Sequence, residues 1–217
     1  MTMKLHGIPL SNYYNMAKHA VLFKGITCEF VATRPSQEPE FVRKSPMGKI
    51  PLLETPQGFI SETDAILDYL DEAFPEPALF PRDPFARAKV RQLMKVQELY
   101  VETPAHNLIG VIFGREVSQH VKDASLIDAR KGLAALGRLT QFSPWIAGTE
   151  FTAADIFVFH SFVLSNRLTR LTYGWDMLAE VPGLASWYER FAALALTQQL
   201  LAENRAASEA LAARHKK

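Results

Sequence analysis

The residues best placed to do chemistry are Ser45-Pro46-Met47-Gly48-Lys49-Ile50-Pro51, followed a short way on by Glu62-Thr63. Gly48 permits a tight turn, Lys49 offers a cation, and Ile50-Pro51 opens an apolar strand at a bond that can be cis for only about 0.5–1 kcal/mol. A cis proline at a strand entrance leaves the N–H and C=O of Ile50 able to pair with an extended ligand. Glu62 and Thr63 precede Ala65, Ile66, Tyr69 and Leu70 at helical spacing, so they fall in the first turn of a helix. That end of a helix attracts carboxylates. A second candidate is the run Pro9-Leu10-Ser11-Asn12-Tyr13-Tyr14, where a hydroxyl would stand at the positive end of another helix.

The elements that must position these residues are legible in outline. Lys4 to Ile8 reads as a strand closed by Pro9. From about Asn12 to Lys24 the apolar residues Tyr13, Met16, Ala17, Ala20, Val21 and Phe23 recur at helical spacing, with Gly25 as the terminator. Cys28 to Ala32 is a second strand, parallel to the first because a helix crosses between them. Pro35 to Lys44 forms an irregular or short helical connection. Ile50 to Glu54 and Phe59 to Ser61 then make a hairpin through Pro56-Gln57-Gly58, and a helix runs from about Glu62 to Glu72. The order is βαβ then ββα, a thioredoxin-like α/β domain over residues 1–75. The prolines at 75, 77, 81 and 84 make 76–84 a linker. Residues 85–217, rich in Ala, Leu, Glu, Arg and Gln, form an all-helical bundle of four or five helices, one of them interrupted near Pro104. Its sharpest start is Phe151-Thr152-Ala153-Ala154-Asp155-Ile156, a capping box with a hydrophobic staple.

Taken together, these segments resemble the cytosolic glutathione transferase superfamily over nearly the whole chain, in its bacterial, serine-type branch. Ser45–Leu53 with Glu62-Thr63 is similar to the glutathione-binding half of that family, and the capping box at Thr152 is a second match. The resemblance implies that glutathione is the co-substrate, held by Lys49, Ile50, Pro51, Glu62 and Thr63, with Arg34 and Gln37 toward its glycine end. Glu62 would take the γ-glutamyl amino group and Thr63 the carboxylate. It also implies a small electrophile as second substrate, in a pocket drawn from Leu10, Tyr14, His106, Ile109 and Phe113. A cytoplasmic homodimer engaged in detoxification belongs to the same expectation.

Catalysis requires the thiol to become a thiolate. Lowering a thiol from about 8.5 to about 6.5 takes roughly 2.7 kcal/mol. One hydroxyl donor to a charged acceptor supplies about 1.5–3 kcal/mol, and a helix terminus about 0.3–1 kcal/mol. No side-chain base is required. Ser11 falls where serine-type members place their activating hydroxyl and is the first candidate. Where many relatives continue with Pro or Cys, this chain has Asn12 and two tyrosines, so Tyr13 and Tyr14 compete for the sulfur and Asn12 could add a hydrogen bond. The plain alternatives are that Ser11 is only a helix cap, that Tyr14 packs in the core, and that Lys49 is a solvated charge. Asp64 reads as an ordinary first-turn acid.

Composition narrows the remaining classes. The formal net charge is +1 with both signs interspersed, which gives no case for nucleic acid or an anionic membrane surface. There is no signal-like apolar segment and no run long enough to span a bilayer. The six histidines show no ligand spacing, so no metal is assigned. The single cysteine, Cys28, excludes an internal disulfide and reads as a small buried hydrophobe. It does not stand at the start of the first helix, where thiol-disulfide members need theirs. Three functions are carried forward: transferase; isomerase or peroxidase using the same site; and a non-catalytic interaction protein. The isomerase branch shows Ser-Ser-Cys where this chain has Ser11-Asn12-Tyr13. A scaffold, for its part, has no need of the Glu62-Thr63 pair.

Overall fold

Met3, Leu5 and Gly7 alternate with Lys4 and His6, and only the first set is buried, as a strand with one face on a core requires. The computed structural model describes residues 3–215. Strand β1 (Met3–Gly7) leads to helix α1 (Asn12–Phe23), which crosses back to β2 (Cys28–Ala32), parallel to β1 with Leu5 opposite Phe30. Helix α2 (Pro39–Val42) is a single turn, followed by the antiparallel hairpin β3 (Leu52–Thr55) and β4 (Gly58–Ser61). β3 lies antiparallel to β1, so the sheet order is β2-β1-β3-β4. Helix α3 (Thr63–Ala73) packs against α1 on the same face.

The core of this unit is Leu5 and Leu53 from the sheet, Met16, Ala17, Ala20 and Val21 from α1, and Ile66, Leu67 and Leu70 from α3, all fully buried. Each large apolar side chain withdrawn from water contributes about 1.5–3 kcal/mol. The other face is mixed, with Lys4, His6, Glu29 and Glu54 beside Val31, Leu52 and Phe59. There His6 bridges Thr33 at 3.2 Å and Glu54 at 3.0 Å, and its hydrogen bond draws the Glu54 carboxyl below its ordinary pKa. At the far end of α1, the buried Lys24 ammonium donates to the Pro77 carbonyl at 2.5 Å and lies 3.7 Å from Asp71. The Asp71 carboxylate in turn accepts the Leu79 N–H at 2.6 Å. Residues 77–79 are thereby fixed to the first unit.

The chain divides into two units, one of residues up to Leu79 together with those from Ala193 onward, the other Phe80–Ala192. This differs from a helical domain continuing to residue 217. The last helix, α9 (Ala195–His215), clusters with the first unit because it packs on α1, where Glu203 meets Lys18 at 2.5 Å.

The second unit holds α4 (Pro84–Gln97), α5 (Thr103–His106), α6 (Gln119–Gly137), α7 (Ala153–Tyr173) and α8 (Leu184–Ala192). The expected interruption near Pro104 takes the form of a π turn, Glu98–Glu102, through which α4 leads into α5. The Thr103 N–H and hydroxyl both reach the Glu98 carbonyl, the hydroxyl at 2.8 Å. The widened turn accommodates a ring that would otherwise clash with the carbonyl four residues back. α7 is buried through most of its length, and Phe157, Phe159, Phe162, Trp187 and Phe191 make the core around it. Among the described residues no helix is long and apolar enough to cross a membrane, and no three His, Cys, Asp or Glu side chains gather as a metal site would need.

Candidate functional site

Sheet topology gathers the candidate residues of the first unit at one end. β1 and β2 are parallel and both end there, leading to Ser11 and to Arg34 and Gln37 respectively, and Thr33 N–H bonds the Gly7 carbonyl at 3.1 Å. β3 begins at that end, because His6 opposes Leu52. β4 finishes there, because Leu52 opposes Ser61. Ile50-Pro51 and Glu62-Thr63 are therefore neighbours across the hairpin, although ten residues separate Pro51 from Glu62.

The strand entrance is built by a rigid turn. Gly48 has φ +65°, and a Cβ there would lie 2.3 Å from the Ser36 carbonyl oxygen, so only glycine fits. Gly48 N–H donates to Ser45 O at 2.7 Å, while the Ser45 hydroxyl donates to Lys49 O at 2.8 Å and accepts Lys49 N–H at 3.2 Å. The Ile50–Pro51 bond is cis. Lys49 is exposed and Ile50 buried. Gln37 donates its amide to the Met47 carbonyl at 3.2 Å, which braces the connection against the turn, and Arg34 is exposed beside it.

Glu62 has φ 68° and ψ 124°, a conformation side chains other than glycine seldom take. It precedes α3, is exposed, and its carboxylate makes no capping bond among the described residues. Thr63, the first residue of the helix, is buried. Outliers of this kind cost about 1–3 kcal/mol and gather at ligand clamps.

At α1, Ser11 is the N-cap, with φ −84° and ψ 120°, and its Oγ accepts Tyr14 N–H at 3.2 Å. Its one proton is left to donate, and the bond it accepts polarises that O–H. Asn12 is buried and Tyr13 partly exposed. Tyr14 is corrected from pocket wall to core residue. Its ring lies under β1, where a Cβ on Gly7 would come within 2.1 Å of it, and only 3% of it is exposed. Burial first, then the charges of Glu203 and Cys28, push its phenol up to about 12. Cys28 is half-buried, and burial raises its thiol to about 11, so it is no nucleophile at neutral pH.

Leu10 is half-buried in the turn before Ser11. The other expected pocket residues lie in the second unit. His106 is exposed, with Nδ1 3.3 Å from the buried Glu102 carboxylate, which also accepts the Ser161 hydroxyl at 2.9 Å. Ile109 and Phe113 bound a short 3₁₀ turn, and the Arg115 guanidinium sits 5.2 Å from the Phe113 ring centre. Two residues that pattern reading did not single out also reach the Ser11 turn. The amides of Asn15 and Asn204 both donate to the Pro9 carbonyl, at 2.9 and 2.6 Å.

Residues 5–78 match the family model of the glutathione S-transferase N-terminal domain, and residues 119–190 that of the C-terminal domain. A glutathione S-transferase of Pseudomonas putida is 42% identical over 181 residues, covering 83% of this chain and 82% of that protein. The chain belongs to the glutathione S-transferase family. Solved glutathione S-transferases share its fold. The Tau class enzyme of mango, Mangifera indica, superposes with a TM-score of 0.78 at 24% identity, covering 96% of each chain. A glutathione S-transferase from Methylobacillus flagellatus, solved with GSH bound, gives 0.77 at 24% identity, covering 92% of this chain and 98% of that one.

Proposed function

We propose that this glutathione S-transferase binds glutathione at the end of the sheet where Ser11, Pro51 and Glu62 converge, and turns its thiol into a thiolate for attack on a small electrophile. The observation that carries the reading is the pairing of Leu52 with Ser61, which sets a proline-bearing strand entrance beside a strained, exposed carboxylate at a helix start. The Ile50 backbone pairs with the extended peptide, Thr63 and the first turn of α3 receive its carboxylate, and Glu62 takes its amino group. Lys49 and Arg34 supply positive charge toward the glycine end, and Gln37 braces the turn. Ser11 donates its hydroxyl to the sulfur, with α1 adding its positive end; Asn12 and Tyr13 flank it.

The isomerase reading is set aside because Ser11-Asn12-Tyr13 stands where that branch has Ser-Ser-Cys, and the strained Glu62 argues against a mere scaffold. A homodimer, a cytoplasmic location and a detoxifying role come with the proposal from the family rather than from any contact in this chain. His106, Ile109 and Phe113 are proposed to meet the second substrate.

The test is the ultraviolet absorbance of the bound thiolate followed against pH. Ser11→Ala should raise the bound thiol's pKa by about one to two units while leaving glutathione affinity nearly intact. Turnover at neutral pH should fall roughly ten- to a hundredfold and recover in alkali. A shift confined to Tyr13→Phe would make Ser11 a helix cap only. Calorimetric titration that shows no glutathione binding would overturn the whole reading.

A further inference from the structure

Ser11 is delivered to the start of α1 by a β-turn. Its N–H donates to the Ile8 carbonyl at 3.0 Å, which makes Pro9 and Leu10 the two central residues. Pro9 suits the first of these places because its φ is fixed near −65°. The peptide joining the two is the least constrained part of such a turn, since types I and II differ chiefly in which way it faces. Type II needs positive φ at the second place. Leu10 does not have it: outside glycine, only Glu62 and Phe142 do among the described residues.

The carbonyl of Pro9 belongs to that central peptide, and two side-chain amides hold it. Asn15 Nδ2 reaches it from α1 at 2.9 Å, and Asn204 Nδ2 from α9 at 2.6 Å. Both lone pairs of the oxygen are thus engaged. Asn15 sits on the helix that Ser11 itself caps, so it ties the turn only to its immediate neighbour. Asn204 ties it to an element 195 residues away in sequence. That element is held in register one residue earlier by the Lys18–Glu203 ion pair at 2.5 Å, with the Lys18 ammonium also 4.7 Å from the Phe30 ring centre.

We propose that Asn204 is a positioning residue for thiol activation: by donating to the Pro9 carbonyl it fixes the turn that aims the Ser11 hydroxyl. The inference rests on Ser11 as the thiolate's donor. Aim matters because a hydrogen bond weakens steeply as it bends, and a misplacement of about 1 Å can cost on the order of a hundredfold in rate. With one lone pair engaged by Tyr14 N–H, the Ser11 hydroxyl keeps one proton to offer, from wherever the turn places its oxygen.

The experiment is the thiolate titration with kcat and KM for Asn204→Ala, Asn204→Gln, Ser11→Ala, the double variant Ser11→Ala/Asn204→Ala, and Lys18→Met. Asn204→Ala should raise the bound thiol's pKa and lower kcat at neutral pH about three- to tenfold, the span of one hydrogen bond, with KM for glutathione within about twofold. Asn204→Gln, which keeps the amide, should recover part of the loss. In the Ser11→Ala background Asn204→Ala should change nothing further. Lys18→Met loosens α9 but leaves the Asn204 amide in place, and should shift the titration less than Asn204→Ala does. Asn204→Leu, close in size, uncharged and with no N–H to give, carries the same expectation as Asn204→Ala should the latter not fold. A shifted Ser11→Ala beside an unshifted Asn204→Ala overturns the role of Asn204 alone, as do additive effects in the double variant or an equal shift in Lys18→Met. A Ser11→Ala titration like the wild type's overturns the catalytic reading and this inference together.

Discussion

Helices α3 and α7 start in opposite ways. At α7, Thr152 is extended, its hydroxyl accepts Ala154 N–H at 3.3 Å, and the Asp155 carboxylate returns to Thr152 N–H at 3.0 Å. The other oxygen of that carboxylate takes Ile146 N–H at 2.8 Å and the Trp187 indole N–H at 3.0 Å. All of this is buried. At α3, Glu62 is exposed and strained, and its carboxylate leaves the first turn uncapped. The start of α7 is capped by side chains of its own turn, whereas that of α3 has no side-chain cap, which is the arrangement the proposed anion site calls for. A self-satisfied helix start contributes stability; a strained and uncapped one is the kind of place where ligand clamps gather.

The largest effect that bears on this contrast is expected at Asp155. Asp155→Ala leaves the Ile146 and Thr152 N–H groups and the Trp187 indole without their acceptor, at about 1–3 kcal/mol for each buried orphan. A loss of about 3–5 kcal/mol is expected in chemical denaturation of the second unit. Glutathione affinity of the protein that remains folded should be unchanged. Weakened binding there would remove the distinction between the two helix starts.

Acid should act on the two units with opposite signs. Burial lowers the His19 imidazole on α1 from 6.5 to about 4, so between those values the unfolded chain binds a proton that the folded chain refuses. Stability from this group is complete above about pH 6.5 and declines as pH falls toward 4, by about 3 kcal/mol in all. Burial raises the Asp155 carboxyl despite the donors around it. That group therefore contributes stability below its unfolded pKa and loses it as pH rises. Hydrogen exchange at pH 5 against pH 7 should show faster opening in α1 than in α7. His19→Gln should flatten the acid limb, and a limb that persists would assign it elsewhere.

Much of this was legible before any coordinates. The capping box at Thr152, the cap at Ser11 and the βαβ–ββα order all rest on local patterns whose physics is local, and each appears where the pattern puts it. What escaped the sequence depends on contacts far along the chain. Tyr14 reads equally as a site aromatic or a core residue, and the space that Gly7 leaves above it decides for the core. The return of α9 to α1 has no signature near residue 204, since Glu203 and Asn204 are ordinary polar residues on a helix. Pro104 marks an interruption in the helix, but the wide turn that absorbs its ring has no local signature. The positive φ of Glu62 was hidden most completely, because a glutamate is a poor residue for that conformation and no local rule predicts its choice.

Smaller effects should appear at Glu62 itself. Glu62→Ala removes the charge proposed to hold the ligand's amino group and should weaken glutathione binding by about 1.5–3 kcal/mol, roughly ten- to a hundred-and-fiftyfold in calorimetric titration. A folded variant of wild-type affinity would return Glu62 to the role of an ordinary surface acid, and α3 would then differ from α7 for reasons unconnected with a ligand.

The smallest effect separates strain from charge at the same position. Glu62→Ala and Glu62→Gly lose the same carboxylate, so both should bind glutathione equally poorly. They differ at the backbone. Alanine keeps the Cβ that makes φ 68° unfavourable, and glycine does not. Glycine also loses more freedom on folding, which offsets part of the relief. On balance Glu62→Gly should be more stable than Glu62→Ala by about 1 kcal/mol, read from paired denaturation midpoints with unchanged slopes. It should also be at least as stable as the wild type while binding glutathione as weakly as Glu62→Ala. If instead the glycine variant is the weaker of the two, the conformation at Glu62 stores no strain. The start of α3 would then have to be explained by its exposed carboxylate alone.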